Sequence, residues 1–200
     1  IAGFTSNSMQ GPSSMYYGAF LYSGGVSSNA SYAYAGARYG TTNYKIIGNG
    51  AVSTIVEDTQ GDKKVMFAAE APEVLFEDYG VGQLNNGVAQ ISIDPIFSNN
   101  IQVDSQHPLK VFIQLEGDCN GVYVTNKSAN GFTVKELANG TSSVSFSWHI
   151  VANRKDAVEN GQLSSYANLR FPEAPEAIEA TNNSAEQVSK FKPDRLTVKE

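Results

Sequence analysis

Apolar and polar residues alternate along the middle of the chain, between residues 51 and 154. The clearest run places four apolar side chains at every second position: Val144, Phe146, Trp148 and Ile150. The residues between them are polar: Ser145, Ser147 and His149. Successive side chains of a β-strand point to opposite faces, so this period of two predicts a strand. We expect its apolar face to point into a core and its other face to point outward.

Shorter runs with the same period lie upstream. Apolar residues share a face in four places: Ala89, Ile91 and Ile93; Val111, Ile113 and Leu115; Val122 and Val124; Phe132 and Val134. Residues 52–56 and 65–68 predict two further strands. The whole pattern predicts an all-β fold, either an antiparallel β-sandwich or a small barrel. Asp94 followed by Pro95 predicts one short helical turn with Asp94 as its N-cap.

Asn-Gly pairs separate many of these runs. The chain contains six of them, at residues 49–50, 86–87, 120–121, 130–131, 139–140 and 160–161. Asn and Gly both accept positive φ, which a two-residue type I′ hairpin turn requires at both central positions. We therefore expect the strands of the central domain to follow one another as an antiparallel meander.

Residues 1–50 form a separate, Tyr-, Gly- and Ser-rich segment. Large and small residues alternate from Ser31 to Tyr39, which predicts an extended strand. The segment has little aliphatic bulk, so we expect it to pack on the central domain or on a copy of itself. A flexible linker is the alternative. The candidate contacts, to a subunit interface or to a glycan, are Tyr16, Tyr17, Tyr22, Tyr32, Tyr34 and Tyr39.

Residues 155–200 are more polar and are predicted to form an extended tail. Residues 176–190 have some helical character but no clean apolar stripe. The tail either reaches a partner or is a disordered terminus. The predicted organisation is therefore an interface segment at 1–50, a β-sandwich-like domain at 51–154 and a tail at 155–200.

Composition and charge exclude several classes of function. Charged residues make up 17% of the chain, below the roughly 25% of an average globular protein. The formal net charge is -6, so nucleic acid is an unfavourable partner. No run of about 18 apolar residues exists, and we expect no membrane insertion.

Because the chain begins at Ile1, we expect a processed product or a fragment of a longer protein.

Two segments, residues 67–97 and 107–154, contain motifs in a specific order. The first has the turn Glu-Ala-Pro-Glu at 70–73, a Gly-containing hairpin and Asp-Pro-Ile-Phe at 94–97. The second has Leu-Glu-Gly-Asp-Cys-Asn-Gly at 115–121 and Phe-Ser-Trp-His-Ile-Val-Ala-Asn-Arg at 146–154. In these motifs the chain resembles a β domain near the C-termini of large bacterial surface proteins and phage tail-fibre-like proteins. The resemblance implies an extracellular fibre or adhesin module that forms a homo-oligomer, with a trimer as the expected state.

The residue types used in catalysis and metal binding form no convincing pattern. Four carboxylates fall within nine positions: Glu70, Glu73, Glu77 and Asp78. A glycosidase needs two carboxylates across a sugar bond, but Glu70 and Glu73 flank a proline in a predicted turn. His107 and His149 lack metal-ligand spacing and are expected at the surface. Cys119 is expected to occupy a tight turn rather than act as a nucleophile.

We therefore expect no enzyme activity, no catalytic residue, no cofactor and no bound metal. The sequence leaves open whether a structural Ca²⁺ binds at Asp58, Gly61 and Asp62, or at Asp118 with Asn120. Neither set matches an EF-hand loop. The predicted function is that of a structural component of an extracellular fibre, filament or tail-fibre-like assembly, acting through self-association as a trimer or polymer and through surface attachment. The expected location is extracellular, at the cell surface or on a virion-like particle. The alternatives are a carbohydrate-binding adhesion module that attaches to surface glycans and, third, a polysaccharide-degrading enzyme.

Overall fold

The computed structural model describes residues 9–10, 15–23 and 31–175. In these ranges the chain forms sixteen β-strands and one short α-helix, and its sheets are antiparallel and do not close into a barrel. The all-β prediction is confirmed, with the sandwich favoured over the barrel. Two compact units are present, one on the N-terminal side up to Val52 and one spanning Ser53–Glu173.

The first unit contains a single antiparallel sheet. Its strands are β1 (Met9–Gln10), β2 (Tyr16–Tyr17), β3 (Ala19–Ser23), β4 (Ser31–Tyr39) and β5 (Thr42–Gly48). The nine-residue β4 is central and pairs with β2, β3 and β5. Strand β1 lies outside β2 and pairs with it alone.

This unit has an aromatic core of its own. Tyr34 and Met15 are fully buried, and Tyr17 and Ala37 are nearly so. Partly buried side chains surround these four: Phe20, Tyr32, Tyr39, Tyr44 and Ile47. The expectation that the segment lacks bulk for a core was therefore wrong, because aromatic rings supply the area that aliphatic residues usually provide.

The second unit is built around two sheets that face each other. The four-stranded sheet contains β8 (Leu75–Gln83), β10 (Ile101–Gln102), β11 (Lys110–Leu115) and β14 (Ser145–Arg154). The three-stranded sheet contains β9 (Val88–Ser92), β12 (Val122–Ser128) and β13 (Gly131–Glu136). Strand β14 pairs with β8, β10 and β11, and β13 pairs with β9 and β12. Long strands at the centre of each sheet therefore organise the sandwich.

The sandwich core follows the predicted alternation. Phe146 and Ile150 of β14 are fully buried, as is Val134 of β13. The Trp148 ring packs edge to face on Phe132 from the opposite sheet, with centroids 5.8 Å apart. Other predicted inward residues lie in the same cluster: Ala89, Ile91, Ile93, Val111, Ile113, Leu115, Val122 and Val124.

Two of the six Asn-Gly pairs form two-residue hairpin turns with positive φ at both positions. Asn86 and Gly87 have φ values of 52° and 79° and lie between Asn85 and Val88, which form an isolated β-bridge. Asn160 and Gly161 have φ values of 51° and 76° and join β15 (Ala157–Glu159) to β16 (Gln162–Ser164). The Asn160-Gly161 pair fixes the register of its hairpin, as the sequence predicts. The Asn86-Gly87 turn instead connects β8 to β9, which belong to different sheets, so the expected meander was wrong there.

The predicted short helix is present as α1 (Pro95–Asn100). Asp94 caps it, and its Oδ1 accepts a hydrogen bond of 2.7 Å from the N–H of Ile96. Among the described residues, the model contains no helix with the length and apolar character that crossing a membrane requires.

Glu136 at the end of β13 connects two loops. Its carboxylate is 6% exposed. Oε1 accepts from the Asn120 backbone N–H at 3.1 Å, and Oε2 accepts from the Ser142 backbone N–H at 2.8 Å. These hydrogen bonds hold the pKa of Glu136 below its usual range, with the Asn120 N–H as the largest cause. The 3₁₀ turn Leu137–Asn139 follows directly.

The predicted tail begins later than residue 155. Tyr166 and Ala167 are buried, and both backbone N–H groups donate to Asp156 Oδ1. The Arg154 guanidinium lies 3.7 Å from the centroid of the Tyr166 ring. These contacts attach residues 155–171 to the sandwich. Residues 176–190, which have some helical character but were predicted as part of an extended tail, lie outside the described residues.

Candidate functional site

The six candidate tyrosines do not share one surface. Tyr17 and Tyr34 are buried within their own unit, with ring centroids 5.2 Å apart. Tyr32 and Tyr39 pack, half-buried, against the same cluster. Tyr16 and Tyr22 are 44% and 40% exposed. Tyr16 and Tyr22 therefore offer the most surface to a partner, whereas Tyr17 and Tyr34 stabilise the fold.

Four apolar side chains of a two-stranded hairpin at the start of the second unit are more than half exposed: Ile55, Val65, Met66 and Phe67. We call this element the apolar hairpin; it consists of β6 (Ser53–Glu57) and β7 (Lys63–Phe67). Ile55 and Val65 lie directly opposite each other and are 72% and 54% exposed. Phe67, on the same face by alternation, is 70% exposed, and Met66 on the other face is 59% exposed. Among the described residues, these strands pair only with each other.

The turn of the apolar hairpin contains one set of calcium candidates. Asp58 Oδ1 accepts from the N–H groups of Gln60 and Asp62, and Lys64 Nζ lies 3.2 Å from Asp58 Oδ2. These contacts lower the pKa of Asp58, the Gln60 N–H most of all. In the part of the chain that the structure describes, no group of three His, Cys, Asp or Glu residues is arranged to hold a metal ion.

The four carboxylates of the predicted cluster have different surroundings in the fold. Glu73 Oε1 accepts from Arg170 at 2.8 Å, and Glu73 Oε2 lies 3.8 Å from Lys110 Nζ. The Arg170 hydrogen bond is the main cause of a lowered pKa at Glu73. Asp78 accepts from the Tyr79 N–H, and Glu70 is exposed. Glu73 therefore connects β11 to residue 170, which is a structural role.

His107 differs from its predicted surface position. Its side chain is only 11% exposed. Nδ1 lies 2.9 Å from Asp104 Oδ1 and Nε2 lies 3.0 Å from Asn168 Oδ1, so both ring nitrogens are engaged. The ring therefore ties the 104–108 loop to the segment that follows β16.

His149 occupies the centre of an aromatic row on the outer face of the four-stranded sheet. It lies opposite Tyr79 of β8 on one side and opposite Phe112 of β11 on the other. The His149 ring stacks on Tyr79 at 4.6 Å and on Phe112 at 5.5 Å between centroids. Tyr79 and Phe112 are 63% and 57% exposed. We call these three residues the aromatic row.

A groove of about 570 Å³ lies beside the aromatic row. Outward side chains of three adjacent strands line it: Tyr79, Val81, Phe112, Gln114, Ser147 and His149. Trp148 also contributes to the lining, and its Nε1 donates to the Val81 carbonyl at 3.3 Å. Ser147 donates to Glu116, which places a second carboxylate near the groove.

Glu77 provides the charge nearest the aromatic row. Its Oε2 accepts from the Tyr79 hydroxyl at 2.5 Å and lies 3.2 Å from His149 Nε2. The Glu77–His149 contact has the distance of an ion pair without the alignment of a hydrogen bond. The Tyr79 hydroxyl is the main cause of a lowered pKa at Glu77, and the same bond raises the pKa of Tyr79.

Sequence reasoning placed Phe112 and His149 on outward faces but did not bring them together. Alternation gives the face of each residue, whereas the register of β11 and β8 against β14 decides which outward residues are neighbours. Tyr79 received no role at all. The signal was present in the sequence as outward aromatic residues on predicted strands, which are unusual where solvent alone covers a sheet.

No protein-family model matches the sequence, and neither a curated protein nor a solved structure is significantly similar to it. The resemblance to surface-protein and tail-fibre-like β domains therefore stays a prediction.

Proposed function

We propose that this chain is a structural module of an extracellular fibre or filament and that it acts by associating with copies of itself. The observation that carries the proposal is the apolar hairpin, whose Ile55, Val65 and Phe67 side chains are more than half exposed. The extracellular setting rests on the low charge of the chain and on the motifs at residues 67–97 and 107–154.

The physical argument concerns the stability of an isolated hairpin. Two strands alone are marginally stable in water, and a third strand or a packed apolar face is needed to hold them. The apolar hairpin has exposed apolar residues on both faces, with Ile55 and Val65 on one face and Met66 on the other. Burying one such aliphatic side chain contributes about 1.5–3 kcal/mol. A second copy of the chain supplies that cover.

The ends of the apolar hairpin differ in character, which supports a directed contact. The turn end is charged and contains ion pairs of Lys63 with Glu57 and of Lys64 with Asp58. The opposite end carries Met66 at 59% exposure and Phe67 at 70% exposure. The charged end stays solvated while the apolar end is covered. Exposed Tyr16 and Tyr22 of the first unit offer a second contact surface.

Light scattering on the full chain tests this proposal. The wild-type protein should have a native mass of three or more times 21.5 kDa that persists on dilution. The double variant Ile55→Thr/Val65→Thr removes apolar area while it keeps β-branched residues in both strands, and its mass should fall towards that of one chain.

A matched control is available in the second exposed hairpin. Val158 and Leu163 also lie directly opposite each other and are 69% and 46% exposed. Val158→Thr/Leu163→Thr should keep the wild-type mass. A monomeric wild-type protein at every concentration, or equal loss of mass in both double variants, would overturn self-association through the apolar hairpin.

A further inference from the structure

We propose that the groove beside the aromatic row binds a saccharide, specifically a neutral or amino sugar in pyranose form. This site lies on the outer face of the four-stranded sheet, and its lining includes no residue of the apolar hairpin and none of the six candidate tyrosines. The proposal does not depend on self-association.

The chemistry of the lining favours a sugar ring. A pyranose has apolar C–H groups on its faces and hydroxyl groups around its rim. The groove offers apolar surface from Tyr79, Phe112 and Val81 beside polar groups from Gln114 and Ser147. Small-molecule sites typically combine a mainly apolar lining with a few polar groups that fix orientation. Tyr and His themselves have apolar ring bodies with polar atoms that reach hydroxyl groups.

The charge around the groove selects among sugars. Glu77 lies at the aromatic row and Glu116 is bound to Ser147, so two carboxylates border the site. Lys110 lies on the same face of β11 as Phe112, but its Nζ is 3.8 Å from Glu73 Oε2. The described lining contains no Lys or Arg, and carboxylates beside such a lining disfavour an anionic sugar and favour a neutral or positively charged one.

The groove is held in shape before any ligand arrives. Each ring of the aromatic row is supported by stacking on its neighbour, and Glu77 holds the Tyr79 hydroxyl. The strands of Tyr79 and Phe112 both pair with β14, which carries His149. A site with fixed side chains loses less conformational entropy on binding than a flexible one. A rigid sheet surface is therefore suited to weak, repeated attachment.

Calorimetry on the full chain tests the proposal directly. Trp148, the only Trp in the sequence, lies between the groove residues Ser147 and His149 on β14, so its fluorescence provides a second readout. The probes are soluble oligosaccharides of glucose, galactose, mannose and N-acetylglucosamine, with glucosamine oligomers as the cationic class and oligogalacturonate as the anionic class. At least one neutral or cationic probe should bind, and calorimetry should confirm the stoichiometry.

Variants separate the aromatic row from other exposed aromatics. Phe112→Ala and Tyr79→Ala should each weaken binding roughly three- to tenfold, as expected for the loss of one aromatic contact. Tyr123→Ala is the matched control, because Tyr123 is 47% exposed on β12 of the other sheet. It should bind like the wild type.

Three outcomes would overturn the saccharide site. The first is no binding by any probe, and the second is binding of oligogalacturonate alone. The third is a Phe112→Ala variant that binds sugar normally but has a reduced native mass in light scattering, which would make the aromatic row a subunit contact. Loss of self-association in the Ile55→Thr/Val65→Thr variant with retained sugar binding would support both proposals separately.

Discussion

Gly80 of β8 lies directly opposite Trp148 of β14, and a Cβ atom at Gly80 would come within 2.3 Å of Cζ2 of the indole ring. The indole ring therefore occupies the space that a side chain at position 80 would need. The ring also packs on Phe132 and donates to the Val81 carbonyl. The absence of a side chain at Gly80 thus positions Trp148 between the sandwich core and the groove.

Gly80→Ala should destabilise the sandwich by about 1–3 kcal/mol, because the indole ring must leave its place or the strands must separate. Urea unfolding at one fixed protein concentration, followed by Trp148 fluorescence and circular dichroism, measures the change. Gly18→Ala is the matched control, since a Cβ there would meet its nearest atom, the Ala35 oxygen, at 3.4 Å. Equal stability of the two variants would show that Trp148 has room to move.

The two Asn-Gly turns allow backbone strain to be separated from steric clash. Gly87 and Gly161 have similar positive φ values, 79° and 76°. A Cβ at Gly161 would meet nothing within 4 Å, whereas one at Gly87 would lie 1.9 Å from the Gly140 oxygen. Gly161→Ala should cost roughly 1–2 kcal/mol for the left-handed conformation. Gly87→Ala should cost at least about 1 kcal/mol more, and thermal unfolding that ranks them in the reverse order would contradict this account.

Glu136 should make the sandwich sensitive to acid. Its pKa is lower in the folded chain than in the unfolded chain, where a Glu titrates at about 4.3. The stabilising contribution of the carboxylate is therefore complete above that value and is lost as the pH falls through the folded pKa. Glu136→Gln should lower Tm at pH 7, and its difference from the wild type should shrink between about pH 5 and pH 3.

Glu159→Gln provides the comparison for this prediction, because Glu159 is exposed at the end of β15. Its Tm should follow that of the wild type over the same pH range. If the Tm difference between Glu136→Gln and the wild type were the same at every pH, the carboxylate charge would have no part in holding the Asn120 and Ser142 loops.

The sequence contained enough information to predict several strands of the central domain and their inward faces, but not β8. The alternation around Phe146 and Ile150 depends only on the two-residue period of a strand, and both residues are buried as predicted. Turn chemistry likewise predicted the hairpin at Asn160-Gly161. These features are local, so a short stretch of sequence determines them.

Features that depend on distant pairing were not predictable in the same way. Tyr79 and His149 are 70 positions apart in the numbering, and only the register of β8 against β14 makes them neighbours. In the sequence, Glu136 is a polar residue at the end of a strand. In the fold, its carboxylate accepts hydrogen bonds from backbone N–H groups of two other loops. The aromatic core around Tyr34 was missed because its rings were assigned to a partner rather than to one another.

The position of β14 in the chain also determines when the four-stranded sheet can form. Strands β8, β10 and β11 all precede β14 in the sequence, and each of them pairs with it. Even the β8 and β14 partners that are nearest in sequence, Gln83 and Ser145, are separated by 62 positions, a long loop to close before this pair of strands gains pairing energy. During synthesis, the first three strands of this sheet leave the ribosome without their common partner. Closure of the sandwich is therefore a late event that waits for the chain to reach Arg154.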